Sequence, residues 1–473
     1  MPAWQSAAES ILRARGQILK TDLLKNSTIN SLFKKRAFQF ILQLPFILIF
    51  TLIVSAGLYG ASLSGSNIST VITWTIWWGG IIFTFPLMGR AWCFVCPWAA
   101  VSDWVQRLAF WKKRDTGLGL DKKFPVALRN MYPVIITFLL ITWAEFYFSA
   151  VSSPVVTAYI AIVILIAAIL ISIVFERRSF CRYLCPIGGM IGVYSKFSIL
   201  ELRARDRAIC RECLTKDCIN GNKKGYGCPV FEYPEAMDTN AYCILCTECI
   251  KTCPKDNIAL NIRPITHELS TSTNRRLDES FMILVVFAIT LFHGLTMIPP
   301  WFQWTDLIML NTGIAPYALV TIALFAFVGL TILVYFIFVL FASRSSLLTP
   351  HPFIAFAYPL IPLALLFHLS HNVFHLFGEG KNLIIVSSDP FGWGWDIFGT
   401  RGYRLETILS FDMIYYIQIA FAIAGFAYAL YLCRRTSMND FAGRGLIPLS
   451  ILIVCLTIIY IVMLNQPMVM RMG

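Results

Sequence analysis

The cysteines of this chain are concentrated in one stretch, at spacings that suit metal binding. Of the fourteen cysteines, twelve lie between Cys93 and Cys253. The segment that starts at Cys243 reads Cys-x2-Cys-x2-Cys-x3-Cys-Pro, which is the spacing of motifs that hold 4Fe–4S clusters through thiolates. A looser motif precedes it and reads Cys-x2-Cys-x4-Cys-x9-Cys-Pro from Cys210. These residues predict reversible one-electron chemistry at iron–sulfur clusters.

The two motifs predict two clusters with exchanged ligands. In a two-cluster ferredoxin, each cluster takes three thiolates from one motif and its fourth from the Cys-Pro of the other. One predicted ligand set is Cys210, Cys213, Cys218 and Cys253. The other predicted set is Cys243, Cys246, Cys249 and Cys228. A four-cysteine zinc site is the alternative, because zinc accepts the same ligands, but so compressed a run favours clusters.

Two further cysteine pairs follow long apolar segments. They are Cys93-x2-Cys96-Pro97 and Cys181-x3-Cys185-Pro186, and each is flanked by a basic residue, an aromatic residue and two small residues. This repeat predicts two similar helical hairpins that bring the pairs to the same depth. The four thiols could hold a third iron–sulfur centre or another soft metal, or form a redox dithiol. Buried free cysteines, which pack as small apolar side chains, are the alternative.

The composition indicates that membrane helices must position these cysteines. The chain has 473 residues, of which 57% are hydrophobic and 14% charged, and its mean hydropathy is +0.68. Apolar runs of about 20 residues can cross a bilayer as helices. Nine spans are predicted, at residues 37–60, 70–89, 131–150, 155–175, 281–299, 316–342, 352–376, 410–432 and 446–466. The predicted fold class is an all-α polytopic membrane protein with an inserted small α+β ferredoxin-like domain.

The spans divide the chain into four regions. These are a basic N-terminal segment (1–36), a four-helix membrane domain (37–176), a ferredoxin-like domain (177–280) and a five-helix membrane domain (281–473). Lys and Arg cluster in loops that alternate correctly to share one side, which the positive-inside rule makes the cytoplasm. We therefore expect a bacterial-type inner membrane, with the N-terminus and ferredoxin domain cytoplasmic and the C-terminus outside. The net charge of +13 reflects these loops and does not indicate nucleic-acid binding.

Histidines in the second membrane domain are candidate haem ligands. Ionisable side chains at membrane depth are costly and so suggest function. His293 lies in the fifth span and His368 and His371 lie in the seventh. Neutral imidazoles from neighbouring helices can ligate a haem b axially. Hydrogen bonding between helices is the alternative, and is the favoured interpretation for His375 near its span end.

The cysteine pattern as a whole resembles a known family. Two membrane-boundary Cys-Pro motifs followed by a two-cluster segment are similar to the NapH/NosR-type membrane polyferredoxins. Copper-related CcoG assembly proteins are more distant relatives. The resemblance covers about residues 37–265. It implies electron transfer linked to quinol or to a metalloenzyme partner.

Together these features predict electron transfer between the quinone pool and a redox partner in a lipid membrane. Two 4Fe–4S clusters would carry the electrons, with a third metal centre and a haem b as further candidates. The chain would act as a quinol dehydrogenase subunit, and its partner would be a periplasmic or membrane cytochrome or a terminal reductase. The alternative is an accessory protein that matures or reduces the metal centre of a partner enzyme. A structural subunit of a larger respiratory complex is a third interpretation.

Overall fold

Apolar helices dominate the architecture. The computed structural model describes residues 20–110, 117–272, 274–343, 351–404, 406–441 and 443–470. In these residues, eight helices are long and apolar enough to cross a membrane, and one apolar helix is shorter. In chain order, the nine are Ala37–Tyr59 (α1), Ile68–Met88 (α2), Tyr132–Tyr147 (α3, the shorter helix), Pro154–Val174 (α4), Leu277–Leu295 (α5), Pro316–Ser343 (α6), His351–Glu379 (α7), Phe411–Phe441 (α8) and Leu446–Leu464 (α9). Each predicted span lies on one of them, which confirms the polytopic α-helical fold.

Shorter helices connect the spans and build the cysteine-rich region. Within the described ranges they are Ser27–Lys34, Trp92–Val95, Pro97–Arg107, Ser179–Tyr183, Pro186–Tyr194, Arg207–Arg211, Asp217–Asn220, Glu248–Thr252, His267–Thr271, Pro299–Thr312 and Asn382–Ser388. Several start at a proline in the first turn, where the missing N–H removes no intrahelical bond. The helices that begin at Pro97 and Pro186 set the direction of the chain after each membrane-boundary Cys-Pro motif.

Helices α5 and α7 form the centre of the bundle. In each of these helices, 89% of the residues in an apolar stretch of 18 residues are buried inside the protein, compared with 22% in α1 and α6. The two central helices pack directly on each other, and α7 also packs along α8. Exposed apolar side chains such as Leu48, Val163 and Phe341 lie on the outer helices. A continuous apolar exterior of this kind suits lipid contact, so the chain is a multi-pass membrane protein.

The region between α4 and α5 (residues 175–276), which we call the cysteine-rich module, contributes two strands to a three-stranded antiparallel sheet. Strand Ile258–Ile262 (β3) lies between Thr21–Asp22 (β1) and Leu200–Ala204 (β2). Asp22 pairs with Asn261 in the register of β1 and β3. The N-terminal segment therefore completes the sheet of the module. Residues 1–19 of the predicted basic segment lie outside the described residues.

Contacts place the loops at two ends of the bundle. At one end, Lys34 pairs with Asp256 (2.9 Å) and Arg275 pairs with Asp440 (2.8 Å). At the other end, the Val469 N–H donates to the Met297 carbonyl (2.9 Å). The described N-terminal residues and the module thus lie at the opposite end from the last described residues. The compartment at each end stays a prediction.

Buried charges join the module to the bundle. Lys196 pairs with Glu279 at the start of α5 (3.0 Å), and the same carboxylate accepts hydrogen bonds from the Tyr242 and Tyr358 hydroxyls. Arg263, on the module side, pairs with Glu268 (2.9 Å). Removing one member of either ion pair would leave a buried charge without its counter-ion. This network fixes the module against the membrane helices.

Candidate iron–sulfur and thiol centres

The structure brings together the first predicted set of four thiols. This set, called the Cys210 group, consists of Cys210, Cys213, Cys218 and Cys253. Burial, followed by repulsion from the other three thiolates of the group, raises the pKa of Cys218 to about 11. Coulombic effects of this kind require neighbouring charges. Thiols from the two sequence motifs therefore share one site.

Asn257 connects the two motifs at this site. Its backbone N–H donates to the Cys253 Sγ (3.3 Å), and its side-chain Nδ2 donates to the Cys210 Sγ (3.3 Å). Such bonds favour the charged thiolate, and N–H donors to cluster sulfurs are one factor that sets a reduction potential. Sequence reasoning missed Asn257, because an asparagine four residues after a Cys-Pro carries no signal of its own.

One edge of the Cys210 group reaches the surface of the module. Backbone N–H donation from Lys216 lowers the pKa of Cys213. The neighbouring Leu214 is 96% exposed. This is the edge of the site that a soluble partner could approach.

The second predicted set also meets in space. This Cys243 group consists of Cys228, Cys243, Cys246 and Cys249. Burial and then repulsion from Cys228 raise the pKa of Cys246 to about 12. The Glu232 N–H donates to the Cys228 Sγ (3.3 Å), which repeats the bond from Asn257 to Cys253 at the same spacing of four residues. The two Cys-Pro turns are thus built alike.

The Cys210 and Cys243 groups are neighbours. Burial raises the pKa of Cys249 well above its usual value, and repulsion from its own group and from Cys218 adds to this. Cys218 belongs to the Cys210 group, and its interaction with Cys249 crosses between the two groups. Electrons on one group would therefore have an adjacent site to move to.

The four membrane-boundary thiols form a third group. This Cys93 group consists of Cys93, Cys96, Cys181 and Cys185. Burial raises the pKa of Cys181 well above its usual value, and the other three thiols of the group contribute repulsion. Cys96 and Cys185 each precede a helix that starts at proline, and the Gly188 N–H donates to the Cys185 Sγ (3.3 Å). The repeated motif therefore produces two similar turns that face each other.

Gly89 makes the first of these turns. It ends α2 with φ +55°, in the region that glycine adopts most readily. A Cβ there would lie 3.1 Å from the Ser198 Oγ. The chain can therefore reverse closely beside the residues that lead into β2 and bring Cys93 back under the bundle.

Two buried arginines accompany the Cys93 group. Arg90 and Arg178 each stand three residues before the first cysteine of their motif, and they are 4% and 2% exposed. Arg178 donates through Nε and Nη2 to Asp103 (2.9 and 2.7 Å) and through Nη1 to the Cys93 carbonyl (3.0 Å). Arg90 donates to the Ala241 carbonyl, while its Nε and Nη2 have no partner among the described residues.

These arginines suit an anionic occupant. Burial and repulsion from Cys93 raise the pKa of Cys185 to about 11, while Arg90 acts to lower it. Arg178 interacts electrostatically with Cys181 and also with Cys246 of the Cys243 group. Arg178 already has Asp103 as its counter-ion, whereas Arg90 has no carboxylate partner among the described residues. A buried cation needs compensating negative charge, and a cluster on four thiolates is an anion. The sequence repeat included both arginines but did not indicate their burial.

The donor sets fit clusters better than single ions. Within the described ranges, no three His, Cys, Asp or Glu side chains converge on a site for one metal ion. In a 4Fe–4S cluster each thiolate binds a different iron atom, so the four ligands surround a cage and do not converge on one point. Each of the three groups supplies four thiols, which is the number that such a cluster binds.

The predicted haem ligands have other contacts. His293, on α5, contacts the Ile289 carbonyl through Nδ1 (3.0 Å) and Glu145 through Nε2 (3.3 Å). The Nδ1 of His368 contacts the Tyr194 hydroxyl (3.4 Å). The His371 ring contacts the His375 ring edge to face, with ring centroids 4.9 Å apart. Because both nitrogens of His293 have contacts, His293 as placed does not fit an iron ligand.

Comparison with known families points to the Cys93 group. Residues 70–116 and 157–204 match a family described as a 4Fe-4S binding domain. These two stretches contain both membrane-boundary pairs and stop before Cys210. Sequence spacing alone did not distinguish a metal from a dithiol at these pairs. The match associates iron–sulfur binding with the two motif hairpins themselves.

Several curated relatives are ferredoxin-type proteins. The chain is 24% identical over 216 residues to the ferredoxin-type protein NapH of Escherichia coli, covering 43% of this chain and 72% of NapH. It is 30% identical over 140 residues to the methylamine utilization ferredoxin-type protein MauN of Paracoccus denitrificans, covering 28% of this chain and 48% of MauN. An uncharacterized protein of Methanocaldococcus jannaschii is 25% identical over 198 residues, covering 41% of this chain and 72% of that protein. No solved structure matches the chain.

The matched regions and the relatives agree with the cysteine motifs. The chain spans about half the length of MauN and nearly three quarters of NapH. These matches confirm the resemblance that the motifs predict. The chain is a multi-pass membrane protein with a matched 4Fe-4S binding domain, and it is similar to the NapH-like membrane polyferredoxins.

Proposed function

We propose that the chain carries single electrons between the quinone pool and a redox partner through three 4Fe–4S clusters. The clusters would occupy the Cys93, Cys243 and Cys210 groups in that order. The observation that carries the proposal is the continuity of the three groups. Arg178 interacts with thiols of the first two groups, and Cys249 and Cys218 connect the second with the third.

The chain's own residues would set the properties of each centre. The clusters, when bound, supply reversible one-electron couples. Half of the twelve thiols are buried and the others are partly buried, which limits access of water. N–H donors such as Asn257 and Glu232 favour the more negative state. Arg90, whose charge has no carboxylate partner within the described ranges, would offset negative charge at the membrane boundary. The exposed edge at Leu214 would face a redox partner on the module side of the membrane, which differs from the periplasmic partner expected from the sequence.

Metal analysis of the protein purified without oxygen tests the cluster assignment. We expect about twelve iron atoms per chain and EPR signals from reduced 4Fe–4S centres. Replacing two ligands of one group should remove about four of these irons, so Cys243→Ala with Cys246→Ala is a suitable variant. Cys455→Ala, at an exposed position on α9, is the matched control. Stoichiometric zinc without iron would overturn the proposal.

The quinone and partner assignments need a separate measurement. We expect a quinol to reduce the clusters of the intact protein in lipid nanodiscs, followed by stopped-flow absorbance. If dithionite reduces the clusters and quinols do not, the accessory role predicted from the sequence becomes the better interpretation. Under that role, the Cys93 group would pass electrons or metal to a partner enzyme.

Haem b is a separate part of the prediction. A haem between α5 and α7 would require His293 to lose its contact with Glu145, so no electron-transfer step is assigned to it. A pyridine haemochrome spectrum measures haem directly, and one haem per chain would restore His368 and His371 as candidate ligands. We also propose, from the distribution of Lys and Arg, that the module faces the cytoplasm of a bacterial-type inner membrane. Protease accessibility of the module in oriented vesicles tests this orientation.

A further inference from the structure

An apolar cavity lies beside the first membrane-boundary motif. Its volume is about 360 Å³, and helices α1, α2 and α4 contribute to its walls. Ile49 of α1 lines the cavity and is 40% exposed on the outer surface of the bundle. A lipophilic molecule could therefore enter from the bilayer. The other walls are largely aliphatic and aromatic, and include Phe46, Ile53, Ile76, Trp77, Trp92 and Trp98.

Two hydrogen-bond donors in this cavity lack acceptors. The indole Nε1 atoms of Trp77 and Trp92 are buried and have no partner in the part of the chain that the structure describes. The neighbouring Trp98 differs, because its Nε1 donates to the Ala161 carbonyl (2.9 Å). Buried indole N–H groups usually find a partner. A ligand with carbonyl or hydroxyl oxygens would supply the missing acceptors.

The tryptophan rings also suit a planar ligand. The Trp77 ring centroid lies 5.6 Å from that of Trp92 and 5.8 Å from that of Trp98. Aromatic rings at such separations form offset and edge-to-face contacts with one another and with other rings. The cavity thus combines an apolar entrance, aromatic walls and two N–H donors that lack acceptors in the described part of the chain.

A second, smaller cavity continues from the first. Trp77 and Trp98 line both cavities, and the second has a volume of about 80 Å³. It reaches Glu145 on α3 and His293 on α5, whose side chains are 3.3 Å apart. An acid–base pair at membrane depth is costly and suggests a proton-handling role. Protons released in the first cavity would have acceptors nearby.

Both cavities adjoin the Cys93 group. Pro97, which follows Cys96, lines the first cavity, and Pro186, which follows Cys185, lines the second. A redox-active ligand would therefore lie beside candidate electron acceptors as well as proton acceptors. Few lipophilic compounds exchange both electrons and protons, and quinols have the ring, the oxygens and the tail that this site accommodates.

We propose that the two cavities form a quinol oxidation site, with the quinone ring held by Trp77 and Trp92. This inference rests on the proposed electron-transfer function and locates its membrane substrate. Oxidation breaks the two O–H bonds of the quinol and leaves a quinone. The Cys93 group would hold the cluster that accepts the two electrons, one at a time. One proton passes to the His293 imidazole and the other to the Glu145 carboxylate.

Quinone binding tests the site without electron transfer. The probe is a short-chain benzoquinone with one isoprene unit, titrated by calorimetry into the intact protein in nanodiscs. Trp77→Phe and Trp92→Phe keep an aromatic ring but remove the N–H donor together with the second ring of the indole, a loss of ring area that the control below shares. We expect each to weaken binding roughly five- to tenfold, which is the effect of one lost hydrogen bond. Trp143→Phe is the matched control, because its Nε1 donates elsewhere, to Thr321 (3.0 Å).

A photoreactive azidoquinone adds a readout that does not depend on affinity. We expect it to label peptides containing Trp77 or Trp92 and excess benzoquinone to prevent the labelling. His293→Gln should leave benzoquinone binding within about threefold and slow quinol-dependent cluster reduction, because it removes a proton acceptor and not a ring contact. Labelling elsewhere, or wild-type affinity in both tryptophan variants, would show that the cavity holds only lipid and would overturn the site.

The outcomes also separate this inference from the proposed function. If quinol reduces the clusters equally well in the wild type and in both tryptophan variants, the quinol site lies elsewhere and the function stands. If the wild-type protein neither binds benzoquinone nor accepts electrons from quinol, the proposed quinone function fails together with the site.

Discussion

The two membrane-boundary motifs have similar sequences but different electrostatic surroundings. In the second motif, Arg178 is neutralised by Asp103 and held by the Cys93 carbonyl. In the first, Arg90 has one backbone acceptor and no carboxylate partner among the described residues. One arginine therefore mainly supports the fold, whereas the positive charge of the other remains available to an anion at the four thiols. A repeated motif can thus divide a structural and an electrostatic role between its copies.

The largest expected effect comes from removing thiols, and it tests whether the two motifs share one centre. We expect Cys96→Ala and Cys185→Ala to have the same result, the loss of about four irons and of one set of EPR signals. Iron analysis and EPR of the reduced protein measure this. Cys433→Ala, a buried cysteine outside the three groups, should keep all the iron. If only one of the two variants lost iron, the motifs would not hold a common cluster.

Replacing each arginine should change the free energy of unfolding by a different amount, because only Arg178 has a buried carboxylate partner in the described part of the chain. Arg178→Met removes two hydrogen bonds to Asp103 and leaves this buried carboxylate with Arg107 (3.7 Å) as its remaining cation, at a cost of up to about 3–5 kcal/mol. Arg90→Met removes one hydrogen bond to a carbonyl and should cost about 1 kcal/mol. Unfolding in detergent, compared between the two variants, measures the difference. Arg178→Met combined with Asp103→Asn should recover part of the loss, and equal destabilisation by the two single variants would contradict the division of roles.

Acid should weaken the ion pair between Arg178 and Asp103 in the second motif. Burial alone would raise the pKa of Asp103, but Arg107 and Arg178 outweigh it and lower the pKa below the usual carboxyl value. The pair therefore contributes its full stability above about pH 4, and this contribution is lost as the pH falls through the lowered value. Unfolding measured from pH 6 downwards should show this loss in the wild type. In Asp103→Asn the corresponding slope should be smaller, and an unchanged slope would exclude Asp103 as its source.

The smallest effect is on redox potential, and it tests the role of Arg90. Without this charge, the reduced and more negative state of a cluster at the Cys93 group should be less stable. We expect Arg90→Gln to lower one midpoint potential by about 60 mV, a tenfold change for a one-electron couple. EPR-monitored redox titration measures it. Arg90→Lys should keep the midpoint potential close to that of the wild type. Arg434→Gln, at an exposed position on α8 outside the three thiol groups, is the control.

Sequence reasoning predicted the parts of the fold that depend on local pattern. Hydrophobic segments located all nine apolar helices because membrane spans are long and uniform. Ferredoxin spacing predicted which thiols would meet, and the structure brings both sets together. The motif repeat predicted the meeting of Cys93, Cys96, Cys181 and Cys185. Whether each group binds a cluster stays a prediction that the metal analysis tests.

Contacts between distant segments were not predictable. Asp103 lies 75 residues before Arg178, and nothing near either residue indicates the pair. Glu145 and His293 are 148 residues apart and meet only because α3 packs beside α5. The unpaired indoles of Trp77 and Trp92 depend on how three aromatic rings pack together. Such features arise from the packing of helices and leave no spacing signal in the chain.

The strand at Thr21–Asp22 has a consequence for biosynthesis. The Asp22 carboxylate accepts a hydrogen bond from the Leu260 N–H, across 238 residues of chain. At ribosomal rates of about 5–20 residues per second, the early strand waits roughly 10–50 s for its partner. Four apolar helices emerge during that interval. The module can therefore close only after the first half of the bundle has been translated, and its iron would most readily be loaded after that point.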